Sequence, residues 1–315
     1  MTPIKALASL VFLALAACNL PPASPAAPAS PAAPKPAPAP VSGSVTVSTA
    51  AAFRAAVIAS VAGETVLLDP ATDWTKQGTL YINTVAGPGA TIDATQVAAP
   101  VPLLSISHSS GFTVSGKFGG PNSIFGIQDT DNSHIAYVNL SCPLGTRHGA
   151  CLSIHGSSFW TIDGFSNVST DAKGIDVGYG AHDGVARNLT CVGLPFVVDA
   201  LHQTHPDCWH YDDSTAPGWN LVVDGFTVSG NTIGVAYYAK TPTPAASMVI
   251  RNGTCDTQQT CAALTLVKGS ITNVRAHTAC GSQSRATANI YVTGPWTTMS
   301  AVTPGGPSTI CGAYR

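Results

Sequence analysis

The sequence predicts an all-β chain wound as a parallel β-solenoid, closed at its N-terminal end by one short helix. Three observations carry that expectation. The segments FTVSGKF, IAYVNLS, WTIDGFS, GVARNLT, LVVDGFT and MVIRNGT place Gly116, Asn139, Gly164, Asn188, Gly225 and Asn252 in one column, at intervals of 23, 25, 24, 37 and 27 residues. Gly and Asn take left-handed backbone angles most readily, so the column reads as one bend repeated once per coil. Apolar residues stand four and two positions before the bend, as Trp160 and Ile162 do before Gly164, and that period of two is a half-buried strand. The length is the third observation: a body of this size builds easily when each coil contacts only its neighbours. A β-sandwich would not repeat one turn residue at such long, near-constant spacing.

The N-terminus, MTPIKALASLVFLALAAC, sets Lys5 before an apolar run from Ala6 to Ala17. This is the layout of a secretory signal peptide over residues 1–17, too short to span a bilayer as a helix. Leu15-Ala16-Ala17-Cys18 resembles the bacterial lipobox. The resemblance implies lipidation at Cys18. Asn19 stands where an inner-membrane retention signal would carry Asp, which points to the outer membrane and leaves the membrane face open. Residues 18–43 form a tether: nine prolines fall between positions 20 and 40, with one charge at Lys35. Such a segment runs as extended polyproline II, and about 20 residues at ~3.1 Å each hold the body roughly 60 Å from its anchor.

The body is residues 44–315. TAAAFRAAVIASV, from Thr49 to Val61, has clear helical spacing, with Phe53, Val57 and Ile58 on one face. It precedes GETVLLDP. The order strand, short helix, strand is similar to the N-terminal cap of the pectate-lyase-like superfamily. The coils, with their left-handed bend, resemble that superfamily's right-handed, single-stranded parallel β-helix. A cap has a physical reason, since an open solenoid end exposes core and unpaired strand edges.

A second strand per coil is read from LLSIS, IFGIQ, CLSIH, GIDVG, CWHYD and GVAYY. Alternation turns Ile175, Val177, Trp209 and Tyr211 inward and their neighbours outward. One outward column is then Ser105, Gly126, Ser153, Asp176, His210 and Ala236; the other is Ser107, Gln128, His155, Gly178, Asp212 and Tyr238. Asp176 is expected directly beside His210, where its carboxylate would raise the imidazole pKa. His155 and Asp212 are expected to face each other across Gly178. Asp129 is expected further along the same groove.

The stretch ALHQTHPDCWHYDD, from Ala200 to Asp213, concentrates His202, His205, His210, Asp207, Asp212 and Asp213 in a chain that is only 10% charged. The long interval before it is a loop inserted beside the polar columns. Eight of the nine cysteines follow Cys18. Spacing alone leaves ~105 pairings open, while local loop closure favours Cys142 with Cys151, Cys191 with Cys208, Cys255 with Cys261, and Cys280 with Cys311. His205-Pro206-Asp207-Cys208-Trp209-His210 resembles the H-P-D-G-[aromatic or Ile]-Q stretch of many bacterial β-helix proteins of pectate-lyase-like type. Cys208 and His210 depart from its usual Gly and Gln.

An outward groove of carboxylates and imidazoles suits an extended sugar polymer. A uronate lyase needs a neutraliser for the substrate carboxylate, a base for the C5 proton and an acid for the leaving oxygen. Aspartates with a cation serve the first need, His210 or Lys240 the second and Tyr238 the third, with His155 a further proton carrier. A hydrolase instead needs two carboxyls, which Asp176 and Asp212 supply. Both reactions remain open. Asp207, Asp212 and Asp213 are candidate oxygen ligands for Ca2+, and His205, Asp207, Tyr238 and Gln128 are candidate substrate contacts. A net charge of −2 argues against nucleic acid as a partner, and the protein is expected to act as a monomer. The expected function is cleavage of an extracellular or envelope polysaccharide by a lyase or glycosidase. The alternatives are a non-catalytic carbohydrate-binding or adhesion lipoprotein and a structural envelope lipoprotein.

Overall fold

The computed structural model describes residues 43–87, 89–120, 124–142, 149–169, 173–193, 207–212, 216–230, 233–257, 260–278, 290–293 and 297–307. The signal, Cys18 and most of the tether therefore lie outside the described residues, as do His202, His205, Asp213, Cys280 and Cys311.

Strands stack coil upon coil in two parallel ladders. The first contains Leu80–Asn83, Leu104–Ser107, Phe125–Thr130, Ala150–His155, Lys173–Gly178 and Trp209–Asp212. The second contains Ser44–Val47, Thr65–Leu68, Thr91–Ala94, Thr113–Lys117, Ala136–Cys142, Thr161–Ser169, Gly184–Gly193 and Leu221–Ser229. Both ladders continue into Ile233–Asp256 and Thr260–Thr278, which pass through the two in turn and pair in parallel. Among the described residues the chain is an all-β parallel solenoid with one short α-helix.

The bend column is present as read. Gly116, Asn139, Gly164, Asn188, Gly225 and Asn252 all have positive φ, between 51° and 115°, and the column runs on through Asn273 and Ala301. Inward residues on either side of it are buried, among them Trp160, Ile162, Phe165, Val223 and Ile250. Burying such a side chain stabilises by roughly 1.5–3 kcal/mol, and because coils are in register the apolar residues stack into one continuous core.

The helix spans Ala50–Ala59, with Thr49 as N-cap accepting from the Ala52 amide. Phe53 and Val57, four residues apart, are buried, whereas Ile58 is 60% exposed. The expected face was thus too wide, since one further residue rotates about 100° around a helix. Among the described residues no helix is long and apolar enough to cross a membrane.

Three expected disulfides are formed: Cys142–Cys151, Cys191–Cys208 and Cys255–Cys261. Cys142, Cys191 and Cys255 share one column of the second ladder, so each bridge ties a strand end to the start of the next coil's first-ladder strand.

One strand differs from the expected register. Phe125–Thr130 sits two residues along, pairing Gln128 with Ser105 and Ser153, and Thr130 with Ser107 and His155. Gln128 therefore belongs to the Asp176 column, and Gly126 to neither. Asp129 is not on the groove at all: it points inward, opposite Ile106 and Ile154, and is fully buried. What admits a carboxyl there is its own set of donors. Ser157 Oγ and Asn132 Nδ2 donate to Oδ1 at 2.5 Å, and the Tyr137 hydroxyl donates to Oδ2. A shift of two residues leaves the same side chains facing outward, so the exposure expected for Asp129 was a separate slip: alternation from the outward Gln128 already turns it inward.

Candidate functional site

The first ladder builds the site. Ile175 pairs with Trp209 and Val177 with Tyr211, and all four side chains are buried. Alternation then sends Asp176 and His210 outward as direct partners on adjacent strands, about 4.8 Å apart in the stacking direction. His155 and Asp212 pair with Gly178 from opposite sides, as expected; the Asp212 side chain lies outside the described residues, as does that of Lys240.

Asp176 is the hub. Lys173 Nζ lies 2.5 Å from its Oδ1, and His155 Nε2 lies 3.4 Å from its Oδ2. Burial works to raise the Asp176 pKa, but hydrogen bonding to His155, the charge and hydrogen bond of Lys173, and the His210 charge outweigh it. The carboxyl is held below its ordinary value and stays ionised. Ser153 Oγ lies 3.2 Å from the same His155 Nε2, and the Tyr179 ring packs on the imidazole at 4.5 Å. His210 meets Tyr238 edge to face at 6.0 Å.

Asp207 lies behind this surface. It is 1% exposed, its Oδ2 is 3.4 Å from His210 Nδ1, and its Oδ1 has no hydrogen-bond partner among the described residues. Burial pushes its pKa well up; the Lys173 charge pulls the other way and the Asp176 charge adds to the rise. Burial thus favours the protonated form of Asp207, which lies against His210 and away from the exposed face of the strand. Of the three carboxylates expected to bind Ca2+, Asp207 is buried behind the strand face, while the Asp212 side chain and Asp213 lie outside the described residues. No group of three or more His, Cys, Asp or Glu among the described residues could hold a metal ion.

The polar groove is bounded. Beyond His210 its column continues with Ala236 and Ala263, both buried in a small apolar cluster with Ile233, against which Tyr238 packs. Gln128 and Ser153 occupy the column on the other side of Asp176. The structure therefore gathers His155, Asp176, His210 and Asp207, with Tyr238 and Gln128 at the margins.

No family model and no curated protein matches this chain. Among solved structures, the chain is similar to an alginate lyase from Paenibacillus sp. str. FPU-7, with a TM-score of 0.45 and 11% identity over 83% of this chain and 95% of that one.

Lys173 was missed from the sequence. Strict alternation puts it on the inward side with Ile175 and Val177, yet it sits half-exposed at the strand's first position, where the side chain is free to swing to Asp176. A Lys opening an alternating strand three residues before an outward Asp was the available signal. Ser153 and Tyr179 were also passed over as partners of His155. Ser153 had been placed in its column without a role, and Tyr179 follows the strand at a left-handed corner, φ 55°.

Proposed function

We propose that the protein cleaves an acidic polysaccharide by β-elimination at a uronate residue. The observation that carries this reading is the Lys173–Asp176–His155 cluster set directly beside His210 on an outward strand face. Lys173 neutralises the uronate carboxylate and so acidifies the adjacent C5–H. An imidazole of His210 or His155 takes that proton. The C5–H electrons form the C4=C5 double bond as the C4–O bond breaks, and the leaving oxygen takes a proton from the second imidazole. Asp176, kept ionised, orients Lys173 and His155; Asp207 supports His210 from beneath.

A glycosidase is less well supported. The hydrolase pair read from the sequence is Asp176 and Asp212, and the Asp212 side chain lies outside the described residues. Of the described carboxyls, Asp176 and Asp207 have oppositely shifted pKa values, as an acid–base pair would. Asp207, however, is too buried to reach a glycosidic oxygen.

The test is a panel of soluble uronate polymers followed by ultraviolet absorbance and by reducing-end release together. Wild type should produce both signals in step, and His210→Ala should lower kcat by ~10²–10⁴-fold, the usual contribution of one positioned acid–base group. Reducing ends without absorbance would replace this reading with hydrolysis, and no product from any polymer would remove it.

A further inference from the structure

The same coils that carry Asp176 and His210 turn a corner immediately afterwards and present an aromatic ledge. Ser110, Ser133, Ser158 and His182 link successive coils there by single parallel bridges. His134 stacks on Phe159 at 4.9 Å, Phe159 meets His182 edge-on at 6.1 Å, and His182 stacks on Trp219 at 4.1 Å with their planes 10° apart. This ledge is held rigidly. His182 Nδ1 is 2.8 Å from Asp183 Oδ2, Asn220 Nδ2 donates to Asp183 Oδ1 at 2.8 Å, and the Asn220 amide donates to Ser247 Oγ at 2.8 Å.

The stack ends at Trp219. One of its faces is covered by His182, yet the side chain remains 37% exposed. In the coils that follow, the aromatic run gives way to Ala246 and Ser247, with Pro244 and Ala245 beside them. The result is a cleft of about 560 Å3 lined by Trp219, Pro244, Ala245, Met248 and Lys268, within the ~300–1,000 Å3 range of small-ligand sites. Lys268 pairs in register with Ser247, one coil beyond the Asn220 position, is exposed, and makes no ion pair among the described residues.

We propose that this cleft is a second, non-catalytic glycan site that takes one hexuronate ring. The axial C–H edges of a pyranose carry partial positive charge and lie against the negative face of the Trp219 indole. The ring's carboxylate then falls to Lys268. Because the indole is already fixed by His182, little ordering cost is added on binding. The site begins at Trp219, one corner beyond the His210 strand, and extends over the next two coils to Lys268, so it holds a polymer near the cleavage groove without entering it. It rests on the acidic-polysaccharide reading for the class of polymer only.

The experiment measures calorimetric binding of hexagalacturonate, hexamannuronate and neutral cellohexaose in a His210→Ala background, which suppresses turnover. Trp219→Ala should weaken the better-bound uronate hexamer by roughly tenfold, Trp219→Tyr should retain most of the affinity, and Lys268→Ala should weaken uronate but not cellohexaose binding. Unchanged melting temperatures establish that the variants fold. In the active background, Trp219→Ala should leave the rate on a short uronate trisaccharide unchanged while raising KM for the polymer. Equal affinity of Trp219→Ala and its parent, or no binding of any hexamer, overturns the proposal. Trp219-dependent binding in a protein that cleaves nothing would instead overturn the lyase reading and leave this site standing.

Discussion

Asp176 is the residue on which the proposed chemistry turns, because it bonds the Lys173 ammonium and touches His155 while standing beside His210. Asp176→Asn removes the charge that orients both partners without opening the core. We expect kcat/KM to fall by ~10²-fold or more, with the melting temperature nearly unchanged, and the acidic limb of the pH–rate profile to move. Loss of stability in place of loss of rate would make Asp176 a structural anchor. That Asp176 neighbours His210 was legible in the sequence, since one alternating strand read beside another fixes which side chains share a face. Lys173 was not legible in that way, because a strand's first residue is not bound by the alternation that follows. Asp129 was misread although alternation from the outward Gln128 already turns it inward; what the sequence did not show is that Tyr137, Ser157 and Asn132 converge on it and satisfy a buried carboxyl.

At the scale of the element, the bend was legible because one backbone conformation recurs on one residue type. The sequence does not say, however, that successive bends touch. Gly164 lies beneath Asn139, and a Cβ added at Gly164 would come within 2.6 Å of the Asn139 Oδ1; at Gly225 the corresponding Asn188 Oδ1 is 3.4 Å away, an ordinary contact. Both glycines have φ near 80°, so both Ala variants carry left-handed strain of about 1–2 kcal/mol. Gly164→Ala should cost more than Gly225→Ala, because Asn139 must also move. Equal losses in denaturant midpoints would show that strain alone governs the bend. The Cys191–Cys208 bridge closes 17 residues of chain onto the site strand, and the Cys191→Ala/Cys208→Ala pair should lose about 3 kcal/mol by the loop-entropy relation.

For the whole molecule, the buried carboxyls set how stability varies with pH, and the sign follows from where their protons sit. Asp129 and Asp207 have folded-state pKa values raised by burial. In the unfolded chain both ionise near pH ~3.9. Above that pH the folded state holds more protons than the unfolded state, so stability falls as pH rises until the folded pKa values are passed. Asp176 acts in the opposite direction: its depressed pKa contributes stability above the unfolded value that is lost as pH falls through the folded one. The surface carboxyls Asp73, Asp183 and Asp224 are also lowered and act as Asp176 does, with solvent screening weakening them. All four act below the unfolded value, while the two raised groups act above it, so melting temperature should peak in mild acid and decline toward neutrality. The neighbours that tune this are Lys173 and Asp176 at Asp207, and His155 and Tyr137 at Asp129. Asp207→Asn is the clean variant, because its Oδ1 gives up no described hydrogen bond. It should flatten the decline while leaving the acid side in place. Asp129→Asn should flatten it too, but at a lower melting temperature throughout, since an amide nitrogen would replace one of the oxygens to which Tyr137, Ser157 and Asn132 donate. A melting temperature that rises steadily from pH 4 to pH 8 in wild type, or an unchanged slope in Asp207→Asn, would show that these carboxyls are ionised in the folded protein and would remove the neutral acid placed behind His210.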